Sequence, residues 1–451
     1  MSIKLNPHQL IPITYIKNAY GLVLFHSPGS GKTITSLKMA EQFVLHKVLI
    51  ITTKSSVKAF NDDLAKLKWN TQSRPIEFYT YKKFVSAYTT DINIANNKIV
   101  IIDEAHRLRN ESRDMSLIIT AVGSAHRLIL LTATPIINYP SDIAPLINMV
   151  KKQEVLPTNT QLFNFYYLDE EDNFELTNKD LLVKKMACTV SYYENVTTQS
   201  SFPEVFTTVM KVEMDPIQIA EYKKYVGQII LEKQIVNIET DVRLTDLEVN
   251  YKLLDKKKKN SFLSATRQLS NAVSKIPSSK TRQLIATLIS NPFPALVYSN
   301  YLDFGVFPVA KELEAKGINY KIISGSTSES KLDKIINQYN QGQIQVLLIT
   351  SAGSESLDLK CTRQVHIMEP HWNDAKIRQV IGRASRYESH ISLPLDQRTT
   401  HVYKWISIFP PYINYKTADE YLQDLSAKKD AMFMEFKKLL ILASVENNPN
   451  C

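Results

Sequence analysis

Two clusters in the first quarter of the chain hold residues whose types and spacing could do chemistry together. The first is His26-Ser27-Pro28-Gly29-Ser30-Gly31-Lys32-Thr33, which follows the apolar run Gly21-Leu22-Val23-Leu24-Phe25 and precedes an amphipathic stretch through Phe43. Strand, glycine loop and helix in that order let backbone N–H groups converge on phosphate oxygens at the positive end of a helix. Gly29, Ser30 and Gly31 form the cradle, Lys32 reaches the outer phosphates of a nucleoside triphosphate such as ATP, and Thr33 ligates a magnesium ion (Mg2+). His26 stands where the common form of this loop has its first glycine. The second cluster, Asp103-Glu104-Ala105-His106, directly follows Lys98-Ile99-Val100-Ile101-Ile102. Carboxylates at the carboxyl end of a parallel strand stand beside a phosphate loop. There Asp103 would hold the magnesium shell and Glu104 would polarise the attacking water. Alone, such an acidic pair is also a common helix cap; together with the glycine loop it specifies phosphoryl transfer.

Those residues need a parallel sheet to hold them. Over the first 150 residues, short β-branched apolar runs at 21–25, 47–51, 98–102 and 127–131 alternate with helical patterns, as in strands joined by crossover helices. Between about 155 and 275 the pattern is mainly helical and more polar, and the run Lys256-Lys257-Lys258-Lys259 reads as a solvated face. Lys275-Ile276-Pro277-Ser278-Ser279-Lys280 has linker composition and reads as a hinge. Candidate strands resume at 294–298, 320–323, 346–349 and 364–368, and a helical tail follows, expected to pack on this second lobe. The fold class expected is α/β: two parallel-sheet lobes at 1–155 and 276–415, a mainly helical connecting segment at 156–275, and a helical tail at 416–451.

With the glycine loop and the DEAH box, two further motifs make the chain resemble helicase superfamily two. Leu131-Thr132-Ala133-Thr134-Pro135 is similar to that superfamily's third motif, and Gln379-Val380-Ile381-Gly382-Arg383-Ala384-Ser385-Arg386 resembles its sixth, QxxGRxxR. The resemblance implies two RecA-like lobes closing on one nucleotide. His106, Thr132 and Thr134 would then couple nucleotide to nucleic acid, with Gln379, Arg383 and Arg386 completing the catalytic set. In physical terms, a guanidinium from a second lobe neutralises charge on the transferred phosphoryl only when the cleft closes. Gln9, in Asn6-Pro7-His8-Gln9, resembles the glutamine that reads the adenine edge, and Asp358 the acid that meets the ribose. Nucleic-acid contacts implied in the same way are Thr53, Lys54, Thr80, Tyr81, Ser299, Asn300, Thr350 and Ser351, whose polar groups suit phosphate oxygens. Trp372 could stack on a base or be buried. The fifth-motif stretch Gly353-Ser354-Glu355-Ser356-Leu357-Asp358 carries serines where such ATPases have glycines, which narrows its backbone freedom.

Closer likenesses narrow the branch. Thr350-Ser351-Ala352-Gly353 through Pro370-His371-Trp372-Asn373, and Met214-Asp215-Pro216-Ile217-Gln218, resemble the Swi/Snf-type translocases and the poxvirus nucleoside triphosphatase I family. Phe25-His26 and Val190-Ser191-Tyr192-Tyr193 look like viral members, including the poxvirus early-transcription-factor ATPase subunit. The implied activity is ATP-driven movement on nucleic acid, DNA rather than RNA, with the viral transcription machinery as partner. A strand-separating RNA or DNA helicase, or a nucleotide-binding structural subunit of a transcription complex, are the competing readings.

Bulk properties agree with that class and exclude others. The chain has 451 residues, 44% hydrophobic and 22% charged, enough for two lobes and without an apolar run long enough to span a bilayer. A formal charge of +9 suits a polyanionic partner. The N-terminus lacks a secretion plan, so a reducing cytosol is expected; the likeness to viral members implies that this is the host cytoplasm, with the virion as a further place. Cys188, Cys361 and Cys451 lie far apart, so unpaired thiols and no structural metal are expected.

Overall fold

The computed structural model describes residues 5–27, 29–109, 112–134, 136, 139–169, 174–194, 202–231, 256–274, 276–351, 357–371, 374–413, 416–448 and 451. They form two units, Met1–Val196 with Lys428–Cys451, and Thr197–Ala427.

The first unit is built on strands β1 (Gly21–His26), β2 (Val48–Thr52), β3 (Ile76–Thr80), β4 (Ile99–Ile102), β5 (Arg127–Thr132) and β6 (Val190–Tyr193). They pair in parallel in the order β3-β2-β4-β5-β1-β6. The continuous apolar sequences of β2 and β4 are buried at every position, because helices cover both faces of a parallel sheet. Alternation then divides the side chains between two cores, with Val23, Ile51, Val100 and Leu130 in one and Leu24, Ile50, Ile101 and Leu131 in the other. Thr53, Thr80 and Ser112 cap helices Lys54–Lys66, Tyr81–Thr90 and Arg113–Val122 by accepting a backbone N–H. Each such cap contributes about 1 kcal/mol.

The second unit carries β7 (Glu204–Glu213), the short hairpin β8 (Ala272–Val273) and β9 (Ile276–Pro277), then β10 (Ala295–Tyr298), β11 (Tyr320–Ile323), β12 (Val346–Ile349), β13 (Gln364–Ile367) and β14 (Thr399–Ile408). Its main sheet is again parallel, in the order β11-β12-β10-β13-β14-β7. Two RecA-like lobes, as expected, are therefore present, and a helix, Ala418–Ala443, follows the last strand.

Several details depart from the sequence reading. The stretch at 156–275 is shared: its first part contributes helices and β6 to the first unit, and β7 joins the second unit's sheet. The linker-like segment is built into the second unit. Ser278 caps helix Ser279–Ile289, and Lys280 is fully buried, its ammonium 3.0 Å from the equally buried Asp419. Lys275 lies outside the described residues. The tail does not stay with the second lobe: from Lys428 it belongs to the first, where Met432, Phe436, Leu439, Leu440 and Ala443 enter the core. That return makes possible a disulfide between Cys188 and Cys451, with Cα atoms 5.4 Å apart, which corrects the expectation of three free thiols. Cys361 remains free. A separation of 263 residues puts the pair beyond any spacing rule.

Candidate functional site

At the carboxyl end of β1 the chain turns through Gly29 and Gly31, at φ +77° and +82°, a left-handed region that glycine enters without penalty. A Cβ on Gly31 would also lie 2.9 Å from Gln9 Nε2. Helix Lys32–Glu41 therefore starts with no side-chain cap, leaving its first N–H groups for an anion. Lys32 Nζ donates to the carbonyls of His26 at 2.7 Å and Ser27 at 3.0 Å. Burial lowers its pKa to about 8, against the opposing pull of Glu104 and Asp103. Among the described residues the buried Ser30 Oγ has no partner. A cation resting on loop carbonyls, an orphaned hydroxyl and open helix N–H groups fit a nucleoside triphosphate.

Gln9 lies against this loop with both ends engaged. Its Oε1 accepts from Asn6 N at 2.8 Å, and its Nε2 donates to Thr35 Oγ1 at 3.0 Å. Beside it, His8 stacks on Tyr193 with ring centroids 3.5 Å apart and places Nε2 3.0 Å from the Ser30 carbonyl.

The acidic pair follows β4, and the threonines end β5, the strand between β4 and β1; the glycine loop, the acids and Thr132 thus share one edge of the sheet. Asp103 Oδ2 accepts from Thr52 Oγ1 at 2.9 Å. Burial, and then Glu104, push the Asp103 carboxyl up, while bonds from Thr52 and Ser56 resist. Glu104 has φ +52°, a strained conformation for a residue with a side chain, costing of order 1 kcal/mol. In this turn its Oε2 meets His106 Nδ1 at 3.2 Å. Burial alone would raise the Glu104 carboxyl; the His106 hydrogen bond and charge, with Lys32 and Arg107, outweigh it and hold it below its usual range. The same His106 nitrogen is 3.3 Å from Thr132 Oγ1, which accepts from Thr134 N at 3.0 Å. His106, Thr132 and Thr134 are thus one connected group, while Pro135 lies outside the described residues.

The residues expected to touch nucleic acid divide into surface and internal positions. Thr53 and Thr80 are caps at the carboxyl ends of β2 and β3, and Lys54 is exposed. Tyr81 is buried, and its hydroxyl donates to the carbonyls of Asp103 at 2.7 Å and Glu104 at 3.1 Å. These bonds tie it to the acidic turn.

In the second unit Ser299 is likewise internal: its hydroxyl donates to the buried Glu369 at 2.9 Å, and Asn300 N donates to the same carboxylate at 2.5 Å. Burial pushes Glu369 up, opposed by Lys280, Asn300, Asn271 and Arg267. Thr350 is buried after β12, and Ser351 bonds the Lys376 ammonium. On helix Asp374–Ala384, Gln379 is exposed and Arg383 half-buried, one turn apart and so on one face. Arg386 Nε donates to the Gly382 carbonyl at 3.0 Å, and its Nη1 lies 3.8 Å from Asp358 Oδ1. Asp358, read as the ribose partner, also meets Lys360 at 3.3 Å. Gly353 through Ser356 and Trp372 fall outside the described residues.

Sequence reasoning missed Thr52, Glu369, Ser191 and Glu446. Thr52 sits one residue before a threonine that was singled out; the others become visible only when distant segments meet.

Two RecA-like sheets, with a phosphate-loop edge on one and a QxxGRxxR helix on the other, define the class: an ATPase of the helicase kind. The chain belongs to the SNF2-related family, whose domain it matches over residues 41–274, more than half its length; residues 279–388 match the helicase conserved C-terminal domain. Three of its relatives are viral proteins. It is 46% identical, over 99% of both chains, to a protein of Acanthamoeba polyphaga mimivirus whose name assigns it provisionally as an ATP-dependent RNA helicase. It is 25% identical to a termination factor NPH-I homolog of African swine fever virus, covering 95% of this chain and 76% of that one. It is 24% identical to nucleoside triphosphatase I of Heliothis armigera entomopoxvirus, covering 96% and 77%. Among solved structures, the Sulfolobus solfataricus SWI2/SNF2 ATPase core in complex with dsDNA aligns over 98% of this chain and 95% of that one, at 17% identity and a TM-score of 0.38, too loose a likeness to argue from.

Proposed function

We propose that this ATPase is a motor that moves along DNA in viral transcription or genome remodelling, with ATP and Mg2+ as its cofactors. The observation that carries the nucleotide site is Lys32, an ammonium held by loop carbonyls within the field of Glu104 and Asp103. Lys32 binds the outer phosphates, Gly29, Ser30 and Gly31 cradle them, and Thr33 and Asp103 hold the magnesium ion, which supplies charge neutralisation on the phosphates when bound. Glu104, kept ionised by His106, orients and polarises the attacking water. Arg383 and Arg386 neutralise charge on the transferred phosphoryl, with Gln379 beside them. His106, Thr132 and Thr134 pass the state of the nucleotide to residues that touch nucleic acid. Exposed or loop-edge groups remain the candidates there: Thr53, Lys54, Thr80, Asn300 and Ser351.

Support for DNA and transcription comes from the SNF2-related family and from relatives named as a termination factor homolog and nucleoside triphosphatase I. The name of the 46%-identical mimivirus relative favours a second reading, an RNA helicase. ATPase turnover measured with single- and double-stranded DNA and RNA separates them. Stimulation by duplex DNA, with release of a triplex third strand and no duplex unwinding, is expected. Stimulation by RNA alone, with strand separation, would replace the first reading by the second, and turnover indifferent to every nucleic acid would end both.

A further inference from the structure

The phosphate loop is bonded to the far end of the chain. Glu446, just past the last helix, accepts from Ser191 Oγ at 2.5 Å through Oε1 and from Tyr192 N at 2.9 Å through Oε2. Ser191 Oγ is in turn 2.8 Å from Nε2 of His26, the residue in the first-glycine position of the loop. His26 and Ser191 are both fully buried. The carbonyl of His26 is the nearer of the two that hold Lys32 Nζ, at 2.7 Å. Ser27 N donates to the Tyr193 carbonyl at 2.9 Å, so the loop leaves β1 braced along β6.

Counting protons fixes the direction of this relay. A serine hydroxyl has one hydrogen, and here it goes to the Glu446 carboxylate. The bond to His26 must then be donated by the ring, which places the proton on Nε2 and leaves Nδ1 as a bare acceptor. Nδ1 is indeed buried and without a partner among the described residues. Burial, with the nearby Lys32 and His8 charges, lowers the ring's pKa to about 3 and so agrees with a single ring proton.

We propose that the carboxyl-terminal tail positions the phosphate loop: Glu446, acting through Ser191, fixes the tautomer and orientation of His26, and through it the backbone that presents Lys32 to the triphosphate. Glu446 and Ser191 are positioning residues, since neither touches the nucleotide. The proposal rests on the nucleotide site assigned above. It gives a reason for histidine at a glycine position, because a side chain with an N–H donor there reaches the β6 hydroxyl while its own backbone serves the loop.

Steady-state ATP kinetics on the full chain test it, with a thermal melt for every variant. Ser191→Ala is the decisive change, because the tail stays attached through Glu446 to Tyr192 N, Val445 N to the Val190 carbonyl at 2.9 Å, and the Cys188–Cys451 disulfide. Losing a bond that serves bound substrate and transition state equally raises KM with little change in kcat. Ser191→Ala and Glu446→Ala should each raise the KM for ATP roughly five- to twentyfold with kcat within about twofold, and the double variant should do no more than the larger single, as links in series require. His26→Gln, which keeps an N–H donor at the Nε2 position, should stay near wild type, and His26→Ala should follow Ser191→Ala. A wild-type KM for Ser191→Ala, or singles that multiply in the double variant, would overturn the relay. Lys32→Ala distinguishes the failures: if it too leaves KM and kcat untouched, the nucleotide site itself is misplaced.

Discussion

The two lobes share a fold but treat their charged residues differently. In the first, each chemical group leans on a neighbour that sharpens its role. Lys32 rests on loop carbonyls, Asp103 on Thr52, Glu104 on His106, and His106 on Thr132. In the second, groups read as functional are partly satisfied by their own lobe: Arg386, read as catalytic, lies against Asp358, and Ser299 and Asn300, read as nucleic-acid contacts, bond the buried Glu369. A pre-arranged site lowers the reorganisation needed at the moment of reaction, whereas a guanidinium paired within its own lobe must exchange partners before it can act. Under the proposed mechanism the first lobe holds its chemical groups ready, whereas Arg386 of the second would first have to leave Asp358.

The largest expected effect tests the readiness of the first lobe. Glu104→Gln keeps the size of the side chain and an acceptor for His106, but removes the charge that polarises water. Turnover should fall about 10²- to 10⁴-fold with ATP binding retained, as for loss of a positioned general base. Single-turnover hydrolysis and a nucleotide-binding titration measure the two separately. A variant that hydrolyses like wild type would move the water-activating role away from this residue.

Next in size is the paired arginine of the second lobe. Arg386→Lys leaves a charge but not the planar fork, and Arg383→Lys does the same. Each should lower kcat by at least about 10²-fold while changing ATP affinity little, since the guanidinium acts on charge that develops in the transition state. Asp358→Asn should do the opposite: with its partner weakened, Arg386 becomes easier to recruit, and kcat should rise by less than about threefold, the size of an exposed ion pair. Equal losses in all three variants would mean that the Arg386–Asp358 contact serves catalysis, and the contrast between the lobes would dissolve.

How much of this was legible in the sequence follows the same division. The interior strands β1, β2, β4, β5, β10, β12 and β13 were readable because strands buried on both faces are continuous apolar runs, and the partly exposed edge strand β11 was readable as well. The edge or near-edge strands β3, β7 and β14 were not. Glu204–Glu213 mixes polar and apolar residues without regular alternation along a largely exposed edge, and Ile76–Thr80 is only half-buried, so neither run stands out from a loop. Lys280 illustrates a second limit: Pro-Ser-Ser-Lys composition says linker, but the partner that allows a lysine to be buried, Asp419, is 139 residues away. The glycine loop and acidic pair were legible because their chemistry is local. Ser191, Glu446 and the Cys188–Cys451 pair were not, because each acquires meaning only when the tail returns to β6.

A pH-dependent effect separates the two lobes by the cations themselves. Burial lowers Lys32 to about 8, within reach of ordinary buffers, whereas Arg386, though lowered by burial, remains a guanidinium that stays charged throughout that range. Below about pH 8 the free enzyme carries the Lys32 charge and attracts the triphosphate; above it the charge is lost, so ATP affinity should weaken by up to about tenfold per pH unit. Bound phosphates favour the charged form and move the titration upward, so kcat should hold its plateau to higher pH than KM does. Stability of the nucleotide-free protein should run the other way. The unfolded chain keeps this proton up to about 10.5 while the native state releases it from about 8, so the linked contribution to stability rises across that window. Opposite slopes, KM worsening as the melting temperature gains, are the signature of a buried lysine, and Lys32→Arg should erase both. A KM that stays flat from pH 7 to about 9.5 in the wild type would mean that Lys32 is no more depressed than Arg386, and that the first lobe is not tuned in the way its hydrogen bonds suggest.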